Sequence, residues 1–259
     1  MQWREHDGVR WLEAELPRAR AAFSTRLGGA SEGAFESLNL GLYTDDAEAA
    51  VRENRSRLTA ALGRDAGGVL FGFQVHAAEV VRSEAAPDPN PFVAGTGAST
   101  AARRGHASQV RPPEADGQAT GNPELTPLVQ VADCLPVALA GERGVAMLHC
   151  GWRGLAAGIV ERGAREVGAT AAAVGPGVGR CCYEVGEEVL EAFAPLGDGI
   201  ADGRMLDLPE VARRLLARAG VDEVELSGLC TSCEPGLFFS HRRDEGRTGR
   251  QAGLVWVDA

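Results

Sequence analysis

Apolar positions along the chain fall in short dense runs separated by turn residues, with two amphipathic stretches between them. Residues 19–26 (ARAAFSTR) predict a strand entering the turn at Gly28-Gly29, and 45–62 predict a helix opened by Asp45-Asp46, with Val51, Leu58 and Leu62 forming a buried stripe. Residues 69–75 (VLFGFQV) predict a strand ending at His76. Three further apolar runs, 128–131, 135–140 and 145–150, read as buried strands, the last two joined by a tight hairpin through residues 141–144. Residues 151–168 predict one helix, 187–193 and 208–219 two more, and 221–226 a strand. From Ser83 to about Asp116 the pattern dissolves into Pro, Ala, Gly and Ser, which reads as a long mobile surface loop centred on 83–113. Strands and helices interleave without a repeat or a linker. The expectation is an α/β fold, with α+β as the alternative, in one domain over 1–259.

Composition narrows the function classes. Acidic residues outnumber basic ones by 36 to 26, a formal charge of -10, so no basic footprint for nucleic acid is present. No uninterrupted run of about 18 apolar residues occurs and the first residues are polar, which disfavours membrane insertion and secretion. Six cysteines are too sparse for a disulfide scaffold, so reduced thiols and a cytoplasmic location are expected. Every one of the 26 basic residues is arginine. A P-loop, a Schiff-base lysine and a lysine general base are thereby excluded.

Five histidines limit any metal or acid–base chemistry to His6, His76, His106, His149 and His241. Three metal-capable side chains stand at the ends of apolar runs: His76, Cys134 and His149. Two imidazoles and a thiolate suit zinc and leave a fourth position open, although the spacings of 58 and 15 residues match no local motif. The residues alone leave core histidines and an inert buried thiol as the other reading.

The segments ADCLPV (132–137) and HCGWRG (149–154) resemble the YfiH family, also described as the polyphenol oxidase or laccase-domain family. In the same order stand FSTRLGG (23–29), SLNLG (37–41), ENR (53–55), QVH (74–76), EADG (114–117), VGPGVGRCCYEVG (174–186) and CTSCEPGLFFSHRRDEGRTGR (230–250). The resemblance spans nearly the whole chain. It implies a layered α/β domain with zinc held by His76, Cys134 and His149, and activity on purine nucleosides: phosphorolysis of adenosine, inosine, guanosine and methylthioadenosine, with adenosine deamination. The small residue after the second histidine, often alanine in the family, is Cys150 here. It is expected to pack rather than to ligate.

Multicopper chemistry would need roughly ten imidazoles, twice what the chain has, so any phenol oxidation is expected to arise from copper in the zinc site. Deamination would use metal-activated water with a carboxylate moving protons, for which Asp133 is the candidate; the same carboxylate could instead orient a ligand. Phosphate must be held by arginine, whose fork suits its oxygens. Arg26 and Arg153 are the best placed, Arg242 and Arg243 weaker, and Asn39 is a candidate for a ribose hydroxyl, with turn formation as its other role. Surface salt bridges are the alternative for each arginine. Cys230 and Cys233 form a C-x-x-C without a second pair in sequence to complete a tetrahedral site, and Cys181-Cys182 are expected to be structural.

Three other functions stay open at this point. Cys134 and His149 could be the nucleophile and base of a hydrolase. The family further implies removal of wrongly built UDP-MurNAc-L-serine, and a metal-binding protein without turnover is the third. The expected partners are a purine nucleoside and phosphate, with no nucleic acid, no membrane and a monomeric chain.

Overall fold

The computed structural model describes residues 1–94 and 112–258. Much of the loop expected over 83–113 lies outside the described residues; its N-terminal part contains the one-turn helix Pro91–Ala94.

Two six-stranded sheets carry the fold. The first runs in the order Gln2–His6, Val9–Leu16, Ala19–Ser24, Gln251–Val257, Thr126–Val131, Val69–Phe71. The second runs Glu223–Leu226, Ala169–Val174, Leu135–Gly141, Gly144–Cys150, Gly117–Thr120, Val80–Arg82. Most neighbours are antiparallel; three of the four outermost pairs, 69–71 with 126–131, 80–82 with 117–120 and 169–174 with 223–226, are parallel.

The sheets pack face to face, and the pleat explains the dense apolar runs. Ala138, Ala140, Val145 and Met147 turn inward to meet Phe23, Val129, Val131 and Val255 of the other sheet. Their neighbours Val137, Leu139 and Leu148 point the other way, onto Ile159, Val160, Leu215 and Leu216 of the helices Ile159–Val167 and Leu208–Arg218. On the opposite side, Ala22, Leu128 and Leu254 face Leu58 of the helix Glu48–Ala61. Strands buried on both faces must be apolar at every position rather than at alternate ones. Among the described residues no helix is long and apolar enough to cross a membrane.

The helix expected over 151–168 is two helices, Trp152–Ala156 and Ile159–Val167. Gly158 between them has φ +86°, a conformation that ends one helix and re-aims the next. The strand from Val69 stops at Phe71, so His76 sits in a loop five residues beyond its strand.

The ENR segment is structural. Asn54 Nδ2 donates to Ser31 Oγ and to the carbonyls of Ser37 and Asn39, while its Oδ1 accepts from Ala30 N–H. Arg55 is buried, donates to the carbonyls of Leu40 and Phe92, and stacks against Phe71 and Phe92 at 5.2 and 4.5 Å. Burial pulls its pKa down to about 9, which leaves it charged at neutral pH. Arg55→Ala is expected to lower stability by about 2–3 kcal/mol, through the cavity and the Phe92 carbonyl left without its donor, read by urea unfolding.

Candidate metal centre and cavity

Strand register builds the centre. In the hairpin 135–150, Leu135 pairs with Cys150 and Pro136 with His149, so Cys134, one residue before the strand, arrives beside His149. On the other side Gly117 pairs with Leu148, which brings Asp116 to His149: His149 N–H donates to the Asp116 carbonyl at 2.7 Å. His76 comes from the loop after Val69–Phe71. Its ring lies 4.8 Å from that of His149, and the ligand atoms of His76, Cys134 and His149 all fall within 4.8 Å of one another.

Asp116 organises this arrangement. Its carboxylate is fully buried and accepts from the N–H groups of Val75 (3.1 Å), His76 (3.0 Å) and Ala77 (2.8 Å), and it lies 2.7 Å from His149 Nδ1. One carboxylate thus holds the backbone of one histidine and the ring of the other. The contact at Nδ1 leaves Nε2 of His149 for a metal, the arrangement found behind most metal-binding histidines. His76 itself has φ +60°, a strained conformation for this residue that the three N–H contacts to Asp116 hold in place. Gly151 completes the floor: a Cβ there would lie 3.0 Å from Cys134 Sγ and 3.3 Å from His76 Cδ2.

The electrostatics agree with the geometry. Burial works against a thiolate at Cys134, but His149 and the hydrogen bonds from both histidines overcome it and bring the thiol down to about 6. Burial likewise opposes an imidazolium at His149, but the Cys134 sulfur and Asp116 lift its pKa to about 9. Burial also opposes charge on Asp116, and the His149 contact with the Ala77 and Val75 N–H groups keeps it below the usual carboxylate range. A metal that displaces the proton held between Cys134 and His149 would meet a thiolate and two imidazoles, a donor set that fits zinc or copper. Cys150 is fully buried in the apolar cluster beneath and burial pushes its thiol well up, so it packs, as expected from sequence.

The three residues lie in the wall of a cavity of about 500 Å3, within the size range of small-molecule sites. Aromatic residues Tyr43, Phe73, Trp152 and Tyr183 line it, together with Arg153, Arg242 and Arg250. The Arg153 guanidinium lies 4.5 Å from the Trp152 ring and that of Arg242 4.6 Å from the Tyr183 ring.

The other expected site residues are placed differently. Arg26 does not line the cavity; its guanidinium donates to the carbonyls of Glu36 and Pro235 and stacks on Phe239. Asn39 is completely buried outside the cavity. Its Nδ2 donates to Thr44 Oγ1 and Asp46 Oδ2, and its Oδ1 accepts from the N–H groups of Gly41 and Arg250. It therefore shapes the turn and fixes the backbone of a cavity arginine. Arg243 is spent on the carbonyls of Thr231 and Phe238 and on Asp244. Asp133 does line the cavity, but Oδ1 accepts from Thr231 Oγ1 at 2.6 Å and Oδ2 from Arg242 N–H at 2.7 Å.

The sequence did not single out the wall aromatics Tyr43, Phe73 and Tyr183, nor two polar contributors. Asp116 stood at the edge of the supposed loop, and Arg250 was one arginine among 26. Each immediately precedes a strand, Gly117–Thr120 and Gln251–Val257. The isolation inferred for the C-x-x-C is also corrected, because Cys181 and Cys182 lie against Cys230 and Cys233 in space.

A two-sheet α/β scaffold with a histidine–cysteine centre at one edge defines the class. The chain belongs to the family described as multi-copper polyphenol oxidoreductase laccase, whose pattern matches residues 20–258. Among curated relatives, Purine nucleoside phosphorylase YfiH of Escherichia coli is 34% identical, covering 99% of this chain and 97% of the relative. Purine nucleoside phosphorylase PA4543 of Pseudomonas aeruginosa is 35% identical, covering 95% and 98%. Among solved structures, the YfiH protein of Bacillus licheniformis superposes with a TM-score of 0.82 at 31% identity over 98% of both chains. YlmD of Geobacillus stearothermophilus gives 0.79 at 32% identity, covering 99% of this chain and 98% of that one.

Proposed function

We propose that this chain is a zinc-dependent purine nucleoside phosphorylase. The observation that carries the reading is one cavity in which a histidine–cysteine donor set, aromatic walls and three arginines converge, in a chain whose full-length relatives carry that activity in their names. His76, Cys134 and His149 would hold the zinc, and a zinc there would supply a Lewis acid for negative charge developing on the substrate.

Each wall suits one part of the reaction. The aromatic rings offer apolar faces to a purine. In phosphorolysis a phosphate oxygen bonds to C1′ of the ribose while the C1′–N9 bond breaks, its electron pair leaving with the base. Positive charge develops on the ribose, and the phosphate anion must be held against its face. Arg153 and Arg242 carry guanidinium groups at the cavity wall and are the residues that would hold it, in place of the lysines the chain lacks. Arg250 contributes a third positive group, with its backbone fixed through Asn39. Adenosine, inosine, guanosine and methylthioadenosine share the base and ribose that these walls address. Adenosine deamination at the same centre would instead add water at C6 of the purine and release ammonia, leaving the C1′–N9 bond intact.

Asp133 in this account is a positioning residue. With both oxygens engaged by Thr231 and the Arg242 N–H, it fixes the loop that presents Cys134. Copper at the same three residues is the source we assign to any phenol oxidation.

The arginines provide the test. Arg153→Ala and Arg242→Ala are each expected to raise KM for phosphate by about 10-fold or more, with the metal content unchanged, since each removes a charged hydrogen bond to the anion. An unchanged phosphate KM in both variants would mean that phosphate is not held at this wall.

A further inference from the structure

A second cluster of metal-capable side chains lies outside the centre described above. Cys181 and Cys182 occupy the turn after the strand Ala169–Val174, and Cys230 and Cys233 the turn after Glu223–Leu226. Those strands are parallel neighbours, with Val174 opposite Leu226, so both turns leave the same end of the sheet side by side. The pairing continues past the strands, where Thr231 N–H donates to the Gly177 carbonyl at 2.9 Å. Two cysteine pairs some fifty residues apart are thereby delivered to one place by strand register.

All four Sγ atoms lie within 4.8 Å of one another. Cys233 Sγ is 3.3 Å from Cys181 Sγ and 3.4 Å from Cys182 Sγ. A sulfur almost equally close to two others is not half of a disulfide, which needs one partner at about 2.05 Å. Four sulfurs around a tetrahedral zinc, each about 2.3 Å from the ion, stand about 3.8 Å apart, so the quartet needs only small adjustments. The N–H of Gly179 donates to Cys230 Sγ at 3.3 Å, a contact that favours a thiolate at that position. Four side chains of this kind with no fifth position correspond to a closed structural site rather than a catalytic one.

We propose that Cys181, Cys182, Cys230 and Cys233 bind a second, structural zinc ion that fastens the 175–183 turn to the 230–233 turn. The site reaches the cavity through short connections. Thr231, inside the C-x-x-C, is the residue that donates to Asp133 next to Cys134, and Tyr183, which follows Cys182, is in the cavity wall. A zinc here would hold one side of the cavity without touching substrate, and its presence does not depend on which reaction the cavity performs.

Metal analysis of full-length protein purified with a reductant tests this. Wild type is expected to hold about two zinc ions per chain, and C230S/C233S and H76A/H149A about one each. X-ray absorption on H76A/H149A should then show an all-sulfur shell at about 2.3 Å. Wild type with one zinc that C230S/C233S retains, an H76A/H149A protein free of zinc, or a quartet found as disulfides in zinc-loaded protein would overturn the proposal. If C230S/C233S does not fold, cobalt(II) titration of the metal-free wild type decides. Two separable binding steps, one with the absorption of a tetrahedral four-thiolate centre, are expected, and a single step without that absorption contradicts it.

Discussion

Replacing Asp116 by alanine is expected to weaken metal binding by about 10- to 100-fold and to destabilise the fold by about 3 kcal/mol or more. The double effect follows from its double task. The fully buried carboxylate accepts from three successive backbone N–H groups that present His76 and meets the Nδ1 of His149. Alanine leaves those donors unsatisfied, frees the strained backbone at His76, and lets the His149 ring rotate away from the direction in which Nε2 faces His76 and Cys134. Asp116→Asn separates the two contributions, because it keeps the volume and one acceptor but loses the charge. Competitive chelator titration reads the affinity and urea unfolding the stability. Metal affinity within about twofold of wild type in the alanine variant would show that Asp116 does not support the ligands.

His76→Ala, Cys134→Ala and His149→Ala are expected to lose both the zinc of this centre and the turnover, by more than the 10- to 100-fold typical of a supporting residue. Each removes one of only three donors in the group, and a zinc left with two cannot be held in competition with water and buffer. The pairing of losses also separates this account from a cysteine hydrolase. There, alkylation of Cys134 or its replacement would abolish turnover while metal content stayed as it was, and His76 would be dispensable. Metal content and turnover measured on the same preparations distinguish the two. Full zinc together with full turnover in any one variant contradicts the assignment of that residue.

Much of the scaffold was legible because burial on both faces writes a dense signal. The runs 128–131, 135–140 and 145–150 are strands within two residues of where their apolar content put them, and the hairpin at 141–144 is present. Val9–Leu16 and Gln251–Val257 escaped despite their apolar content, and the other missed strands have weak or mixed chemistry. Gly117–Thr120 (GQAT) offers almost no apolar side chain, and Gln2–His6 is an exposed edge with nothing to bury. Ala169–Val174 is mostly alanine, which is as welcome in a helix as between two layers. Missing the strand at 117 had a direct cost, since the residue before it then looked like loop rather than the anchor of two histidines.

The same logic explains the candidate site. His76, Cys134 and His149 were found at the ends of apolar runs, and the structure brings their ligand atoms together. Arg153 also faces the cavity, whereas Arg26, Asn39 and Arg243 are consumed by carbonyls and turns contributed by remote segments, such as Pro235 for Arg26 and Arg250 for Asn39. Short-range patterns cannot show which polar groups a distant backbone will need. Arginine suffers most from this, because its five donors serve a carbonyl as readily as a phosphate.

The most direct measurement is product analysis of adenosine incubated with metal-loaded protein, with and without inorganic phosphate. Adenine and ribose 1-phosphate are expected only when phosphate is present, with the activity lost on chelation and restored by zinc. Adenosine left untouched by fully metal-loaded protein would contradict the proposed phosphorolysis and turn attention to hydrolysis of peptidoglycan precursors at the same centre.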